Sequence, residues 1–390
     1  MTTARTLARA GLIVSGAFLV SRLLGWIRLV VIAHSVRDPA ELDAFFAAFR
    51  IPDLLFQLVA AGALSSALIP IVTGLLETDG ERRAWRVVST VTNLMLGALL
   101  VLAVIVFLAA DVLVPIYTSG FEPTTMARTI ELTRIMVLSP IFLALGAVAT
   151  SVLNARGRFA AAAIAPIVYN LAIIGGALIL APSLGAVGLA VGVVSGSIGH
   201  LLVQVVPLRA IGFRYEPRVD ADDTAARRAL ALMAPRAVGL GATQITFVVV
   251  TALATTVGVG AVTAFTVAFT LLQIPMGLIG VPLGVVLFPS LAREVASGRH
   301  EAFVALLGQA LRLIAFVMLP VAVLTALLRT EVVAMLFGSF TPAAITLTAD
   351  TLLAFLIGLV AHALIAVLAR AFYAQQDTLT PVLAAVGAVV

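Results

Sequence analysis

The sequence has no cysteine and no lysine, and only 11% of its residues are charged. Without cysteine, disulfides and thiolate metal sites are excluded. It also lacks a phosphate-cradling glycine loop, a His/Asp/Glu cluster at metal-ligand spacing, and a nucleophile triad motif. We therefore expect no catalytic residues, no metal, no cofactor and no enzymatic activity. No basic block interleaved with aromatic residues is present, so we expect no nucleic-acid partner.

Hydrophobic residues are abundant: they make up 62% of the 390 residues. Soluble domains contain roughly 45–50% apolar and about 25% charged residues, so an ordinary globular protein is excluded. An apolar run of about 20 residues is long enough to cross a bilayer as a helix. Predicted spans cover 8–34, 42–75, 86–110, 125–152, 158–181, 185–207, 226–256, 260–288, 302–328 and 343–372, and a last one begins near 379. The sequence predicts an all-α polytopic membrane protein whose eleventh helix is truncated.

The 24 basic residues are all arginine, and their distribution predicts the topology. With the N-terminus inside, fifteen arginines fall in inner loops and three in outer loops. Cytoplasmic loops carry the excess of basic residues in membrane proteins. We therefore expect a multi-pass membrane protein with a cytoplasmic N-terminus.

The two sides of the chain resemble each other around a polar break at 208–225. Residues 48–80 resemble 268–298, and 146–159 resemble 358–377. We predict an N-terminal lobe over 1–210 with helices 1–6, a cytoplasmic linker over 211–225, and an incomplete C-terminal lobe over 226–390 with helices 7–11. Helices 1 and 7 would both start inside, and such parallel repeats are one recurrent plan of secondary transporters. Glycines spaced four apart at Gly188, Gly192 and Gly196, and at Gly280 and Gly284, predict close helix packing.

Helix 1 carries two arginines, Arg22 and Arg28, inside an apolar run. An arginine at the centre of a span costs roughly 2.5–3.5 kcal/mol on insertion scales and is tolerated where it faces a partner or a wet cavity. One interpretation is that Arg28 reaches the outer interface while Arg22 forms a structural pair. The other is an anion-binding cavity, because the arginine fork donates bidentately to phosphate and stays charged. Ser21 and Gly25 beside them would allow a bend or close approach.

Further charged residues lie within or at the edges of spans. Arg50 precedes Pro52, which can kink helix 2. Asp43 is predicted to pair with Arg28 or Arg50 at the outer side, or to be a solvated helix start. Arg236 is either a cavity cation or an arginine at the inner interface.

Helix 4 carries an acidic and a basic residue three positions apart. Glu131 and Arg134 have the spacing of neighbours on one helix face. We predict a local ion pair between them.

Five segments together resemble the MurJ/MviN lipid II flippase family of the MOP transporter superfamily. They are "SRLLGWIR", "DAFFAAFRIPDLL", "VLNARGRF", "GVPLGVVLFPSLAREVASG" and "AFYAQQDTLTPV", and they occur in order over the whole chain. The resemblance implies two pseudo-symmetric six-helix lobes around a central cavity. It also implies alternating access that carries lipid II, an undecaprenyl diphosphate-linked disaccharide peptide, from the inner to the outer leaflet. Membrane lipids and a coupling cation would be its other partners.

The resemblance also implies site residues. Arg22 and Arg28 match two essential arginines of the family, Asp43 matches its helix 2 aspartate, and Arg50 lies where a cation is common. The chain departs from the family at Thr270, which stands where a cavity arginine of helix 8 is usual. We hypothesise that Arg236 partly replaces that charge.

Two alternatives remain open at this point. One is another MOP-superfamily exporter, either a polysaccharide-lipid flippase or a MATE-type antiporter. A drug antiporter exporting cations should have cavity carboxylates, whereas the candidates here are mostly arginine. The other alternative is a membrane scaffold that transports nothing.

The hypothesis for Arg236 is testable by substitution. We expect Arg236→Ala to slow lipid II flipping about as much as Arg22→Ala does, since each removes one cavity cation. Flipping is measured in proteoliposomes with the full chain. Wild-type flipping by the Arg236→Ala variant contradicts the hypothesis.

Overall fold

The computed structural model describes residues 2–59, 63–377 and 379–387, and their side chains except at 2–14, 59, 63, 65–66, 234–239, 242–243, 382 and 385–386. The described residues form helices joined by short turns. The helices are α1 (Thr2–Ser35), α2 (Pro39–Ala48), α3 (Arg50–Val59), α4 (Ala63–Thr78), α5 (Glu81–Tyr117), α6 (Pro123–Met136), α7 (Ser139–Ala155), α8 (Phe159–Gly175), α9 (Ala181–Leu184), α10 (Ala186–Ala210), α11 (Thr224–Val257), α12 (Ala261–Pro275), α13 (Val281–Ala296), α14 (His300–Leu327), α15 (Arg329–Leu336), α16 (Pro342–Ala374) and α17 (Leu379–Gly387). A π-helical turn joins α8 to α9 at Gly176–Leu180, and another joins α12 to α13 at Met276–Gly280.

Eight helical segments among the described residues are long and apolar enough to cross a membrane. They are Ser15–Ser35, Glu81–Tyr117, Pro123–Ala155, Phe159–Leu184, Ala186–Ala210, Ala261–Ala296, His300–Leu327 and Pro342–Ala374. Each overlaps a span predicted from the sequence. The prediction of an all-α polytopic membrane protein is thereby confirmed.

The predicted second span, 42–75, is interrupted at Phe49, between the end of α2 at Ala48 and the start of α3 at Arg50. Proline explains this interruption, because Pro52 has no N–H to donate to the carbonyl of Ala48. A second proline, Pro70, lies inside α4. Arg50 is therefore the first residue of a new helix, α3.

The chain forms two compact units, one up to Val262 and one from Thr263. In the first unit, α8 packs against α1 and α10, and α11 packs against α3, α4 and α5. In the second unit, α13, α14 and α16 pack against one another. Helix α11, which the sequence assigns to the second lobe, thus has its neighbours among helices of the first. The division into two six-helix lobes stays a prediction.

Glycines bring α10 close to α8, to the π-helical turn after it and to α9, as their spacing predicts. A Cβ on Gly188 would lie 2.5 Å from the backbone nitrogen of Ala181, and one on Gly196 would lie 2.9 Å from the carbonyl oxygen of Tyr169. Gly192 similarly approaches Gly176 in the π-helical turn. Backbones that approach this closely gain dispersion contacts that lipid tails cannot supply. Close packing is confirmed for this glycine series, and it holds α8 at a fixed distance behind α1.

Helix α5 is much longer than a bilayer is thick. Its 37 residues extend over about 55 Å at 1.5 Å per residue, whereas the hydrocarbon core is about 30 Å thick. A helix of this length extends beyond the hydrocarbon unless it is strongly tilted. We call residues 213–223, which form no helix and are bound by the first turns of α5, the strap.

Side chains of α5 bind the strap along its length. The Asn93 amide nitrogen donates to the carbonyl oxygens of Glu216 and Arg218, at 3.1 and 2.9 Å. Tyr215 donates its hydroxyl proton to the Asn93 amide oxygen. Ser89 and Thr90 accept from the strap backbone, and Phe213 packs edge-on against Trp85 with ring centroids 5.3 Å apart. These bonds satisfy backbone groups of the strap that no helix or sheet satisfies.

The end of the strap starts the next long helix. The Asp223 carboxylate accepts hydrogen bonds from the backbone nitrogens of Ala225 and Ala226, in the first turn of α11. Its other oxygen lies 3.6 Å from Nε of Arg83 on α5. Asp223 is therefore both the N-cap of α11 and a link to α5.

Removal of the Asn93 side chain tests the anchoring of the strap. We expect Asn93→Ala to lower the free energy of unfolding by about 1–3 kcal/mol, because two strap carbonyls lose their donor. The same variant should become more sensitive to proteolysis within 213–223. Tyr215→Phe, which removes a single hydroxyl, is the matched control and should show a smaller effect. Equal protease resistance of Asn93→Ala and wild type contradicts the anchoring role.

Candidate functional site

Arg22, Gly25 and Arg28 form one stripe on the surface of α1. Residues three apart on a helix lie about 60° apart around its axis and are neighbours, so Gly25 occupies the middle of the stripe. A Cβ built on Gly25 meets no atom within 4 Å. Both arginines are half-buried. The two guanidinium groups therefore flank open space at the centre of the stripe.

Aromatic rings are the neighbours of both charges. The guanidinium carbon of Arg22 lies 5.9 Å from the ring centre of Phe18, and that of Arg28 lies 5.9 Å from the ring centre of Tyr169. Among the described residues, neither arginine forms an ion pair. A cation over an aromatic face gains about 0.5–2 kcal/mol and keeps most of its N–H donors. The two arginines thus remain able to donate to an anion.

Two consecutive residues of α8 hold α1 in place. Tyr169 lies beside Arg28, and the Asn170 amide donates to the carbonyl oxygen of Ser21 at 3.3 Å and to that of Pro166 at 3.0 Å. Asn170 thus forms a hydrogen bond between two helices, as polar side chains in membrane helix bundles commonly do. The rotation of α1, and with it the direction of the arginine stripe, depends on this contact.

Arg50 lies in a polar cluster between α3 and α11. Its Nε donates to the hydroxyl of Thr251 at 2.8 Å, and its guanidinium carbon lies 5.5 Å from the ring centre of Phe247. Asp53, one turn further on, interacts electrostatically with Arg50 and Tyr169 and hydrogen-bonds Gln244. A chain of electrostatic neighbours therefore runs from Arg28 to Arg50 through Tyr169 and Asp53.

Asp43 is buried, with 1% of its surface exposed. Its Oδ2 accepts a hydrogen bond of 2.6 Å from the backbone nitrogen of Gly260, which has φ +89° and lies just before α12. This carboxylate therefore fixes the turn between α11 and α12 onto α2. The predicted alternative of a solvated helix start is wrong for Asp43, because the side chain is enclosed.

The two remaining predicted site residues give less information. The side chain of Arg236 lies outside the described residues. Thr270, in the second unit, donates its hydroxyl to the carbonyl oxygen of Thr266 one turn earlier in α12. That hydroxyl is thereby turned toward its own helix.

The predicted pair of Glu131 and Arg134 is wrong. Glu131 instead pairs with Arg128 at 2.7 Å, and Arg134 pairs with Asp111 on α5. Arg128 and Arg134 each lie three residues from Glu131, so local spacing alone could not choose between them. Asp111 belongs to another helix and could not be found from local spacing.

Sequence reasoning also missed Tyr169, Thr251 and Glu41. Tyr169 is one of only four tyrosines, and a tyrosine within a span is a signal that could have been used. Glu41 accepts from Arg128 at 2.7 Å and from the backbone nitrogen of Ala186 at 3.0 Å, so it joins α2, α6 and α10. No pattern in the sequence indicates those partners, because they are 87 and 145 residues away.

Known proteins match almost the whole length of the chain. A relative from Burkholderia cenocepacia, "Lipid II flippase MurJ", is 34% identical over 394 residues, which cover 98% of this chain and 76% of the relative. "Probable lipid II flippase MurJ" of Vibrio cholerae is 29% identical, with 98% of this chain and 75% of the relative covered.

Solved structures share the fold. "Lipid II flippase MurJ, inward closed conformation" matches with a TM-score of 0.80 at 25% identity, covering 95% of this chain and 78% of that one. An inward-facing MATE multidrug transporter of the MOP superfamily matches with a TM-score of 0.76 at 16% identity, covering 93% and 83%. The family model described as "Lipid II flippase MurJ" matches residues 32–390. The chain that carries the arginine stripe on α1 thus belongs to the MurJ family of lipid II flippases.

Proposed function

We propose that this chain carries lipid II from the inner to the outer leaflet by alternating access, with its diphosphate bound by Arg22, Arg28 and Arg50. The observation that supports this most is the stripe on α1, where two guanidinium groups that have no carboxylate partner in the described part of the chain flank the open space at Gly25. Ser21, Asn170 and Tyr169 would set the direction of the stripe. Thr270 and Arg236 stay further candidates for contact with the headgroup.

Membership of the family places the chain among transporters and not enzymes. The eight apolar helical segments found in the described ranges agree with a multi-pass protein of the inner membrane. The excess of arginine in alternate loops supports a cytoplasmic N-terminus. In that orientation, the stripe on α1 lies within the first span.

The chemistry of the three arginines suits a diphosphate. Guanidinium donates two parallel hydrogen bonds to one phosphate, and such charge-assisted bonds contribute about 1.5–3 kcal/mol each where water is sparse. Arg50 is held by Thr251 and Phe247, and Arg28 by Tyr169. Holding the side chains in place lowers the entropy lost when the anion binds.

Movement of an anion outward is favoured by a membrane potential that is negative inside. Each elementary charge that crosses gains about 2.3 kcal/mol per 100 mV. The polyprenyl tail would stay among the lipid tails, so that only the headgroup passes the polar cluster. The lipid can shift the equilibrium between two conformations only if it binds them with different affinity. A membrane potential or a coupled cation would reset the cycle.

Two other functions predict different selectivity. A MATE-type antiporter for cationic drugs needs accessible carboxylates, whereas Asp43 is bound to Gly260 and Asp53 to Gln244. A polysaccharide-lipid flippase would use the same arginines, because its substrate also carries a diphosphate. Transport assays with both lipid-linked substrates separate these functions from each other and from a scaffold that transports nothing.

The stripe on α1 is tested by removing one charge at a time. We expect Arg22→Ala and Arg28→Ala each to lower the lipid II flipping rate about tenfold or more, since one charge-assisted contact is lost. Flipping is measured in proteoliposomes, and Arg28→Lys should restore part of the rate. Arg37→Ala, which removes an exposed arginine just beyond α1, is the matched control. Wild-type rates in both stripe variants would contradict the proposal.

Asp43 calls for a separate test, because its carboxylate accepts from a backbone nitrogen. Asp43→Asn keeps an acceptor oxygen at Gly260, so we expect its flipping rate to stay within about threefold of wild type. Asp43→Ala leaves a buried N–H without its acceptor and should lower the free energy of unfolding by about 1–3 kcal/mol. A loss of flipping in Asp43→Asn with unchanged stability would instead assign the negative charge itself to transport.

A further inference from the structure

Another half-buried arginine, Arg370, lies in the unit that begins at Thr263. Arg370 is the fifth residue from the end of α16, near the end that the topology places inside. An arginine there can extend outward to the aqueous interface. Instead, its Nη1 donates to the carbonyl oxygen of Ala366 at 2.6 Å, one turn earlier in the helix. The guanidinium is thereby directed back along the span.

Gly284 of α13 provides the space for this guanidinium. A Cβ on Gly284 would lie 2.7 Å from Nη1 and 3.0 Å from Cζ of Arg370. Even alanine would therefore displace the charged group. The sequence predicts that Gly284 serves close approach of two backbones, but its neighbour is a charged side chain.

Most donors of Arg370 are unused. Guanidinium has five N–H donors, and its one hydrogen bond among the described residues goes to Ala366. None of its nitrogens is among the buried polar atoms without a partner, and the residue is half-buried. The remaining donors are thus accessible. A charge held inside a span is energetically costly and marks a functional position by default.

We propose that Arg370, seated over Gly284, is a phosphate contact of the second unit for the headgroup of a lipid. The hydrogen bond to Ala366 and the space at Gly284 keep the guanidinium group in one place. Its unused N–H donors can bind two phosphate oxygens in parallel. The phosphate belongs either to the transported diphosphate lipid or to an anionic phospholipid of the bilayer. The first source rests on the proposed function.

Binding is measured on the purified full chain with two probes, undecaprenyl diphosphate and phosphatidylglycerol. We expect Arg370→Ala to raise the Kd for undecaprenyl diphosphate about tenfold and Arg370→Lys to raise it less. Gly284→Ala should raise it in the same direction, because it displaces the guanidinium without removing it. The flexible end of an arginine moves at little cost, so this variant should fold normally.

A substitution at another glycine and a double variant serve as controls. Gly358, also in α16, has open space around its Cβ, so Gly358→Ala should bind as wild type does. The double variant Gly284→Ala/Arg370→Ala should bind no more weakly than Arg370→Ala alone, since both changes act on one interaction. Additive effects of the two changes would overturn the role of Gly284 as the seat.

The two probes separate the sources and separate this inference from the proposed function. A weakened Kd for phosphatidylglycerol alone assigns the contact to a bilayer lipid. Wild-type Kd values for both lipids in Arg370→Ala and Gly284→Ala overturn the inference. If Arg22→Ala and Arg28→Ala still weaken binding of the diphosphate in that case, the proposed function stands without it. If those two variants bind and flip normally while Arg370→Ala does not, the role of the α1 stripe in the proposed function fails and the phosphate contact at Arg370 remains.

Discussion

A guanidinium group cannot be deprotonated at any physiological pH, so the structure around it must supply polar surroundings. In a bilayer this requirement is severe, because lipid tails offer no hydrogen-bond acceptor. The chain meets it in three ways. Arg134 has an acidic partner in Asp111, Arg50 has Thr251, and the α1 pair has aromatic faces beside open space. In the last arrangement, most N–H donors of Arg22 and Arg28 have no hydrogen-bond acceptor among the described residues.

The helices beyond α1 can be understood as the support for that arrangement. Glycines on α10 bring α8 close, and α8 then presents Tyr169 and Asn170 to α1. A small residue on one helix therefore decides where a charged residue two helices away can lie. Because protein interiors are densely packed and resist compression, the position of one helix determines the positions of the helices packed against it.

Sequence patterns predicted the spans, the membrane class and the arginines of α1 because each depends on local composition. Apolar length sets a span, and a charge within it is conspicuous whatever its neighbours are. The partners were less accessible to this reasoning. The acceptor role of Asp43 toward Gly260 depends on a contact 217 residues away, and the packing of α11 on α3, α4 and α5 depends on tertiary contacts. The interruption of the predicted second span was only partly predictable. The helix-breaking Pro52 can be read from the sequence, but the end of α2 at Ala48 cannot.

The strap gives α11 a fixed starting point. Its backbone is bonded to Ser89, Thr90 and Asn93, and Asp223 then caps α11. A helix whose first turn is tethered cannot slide along its axis, because sliding would require several of these bonds to break together. The opposite end of α11 is held as well, because Gly260 in the turn after Val257 donates to the buried carboxylate of Asp43. A helix tethered at both ends can change shape only by bending along its length.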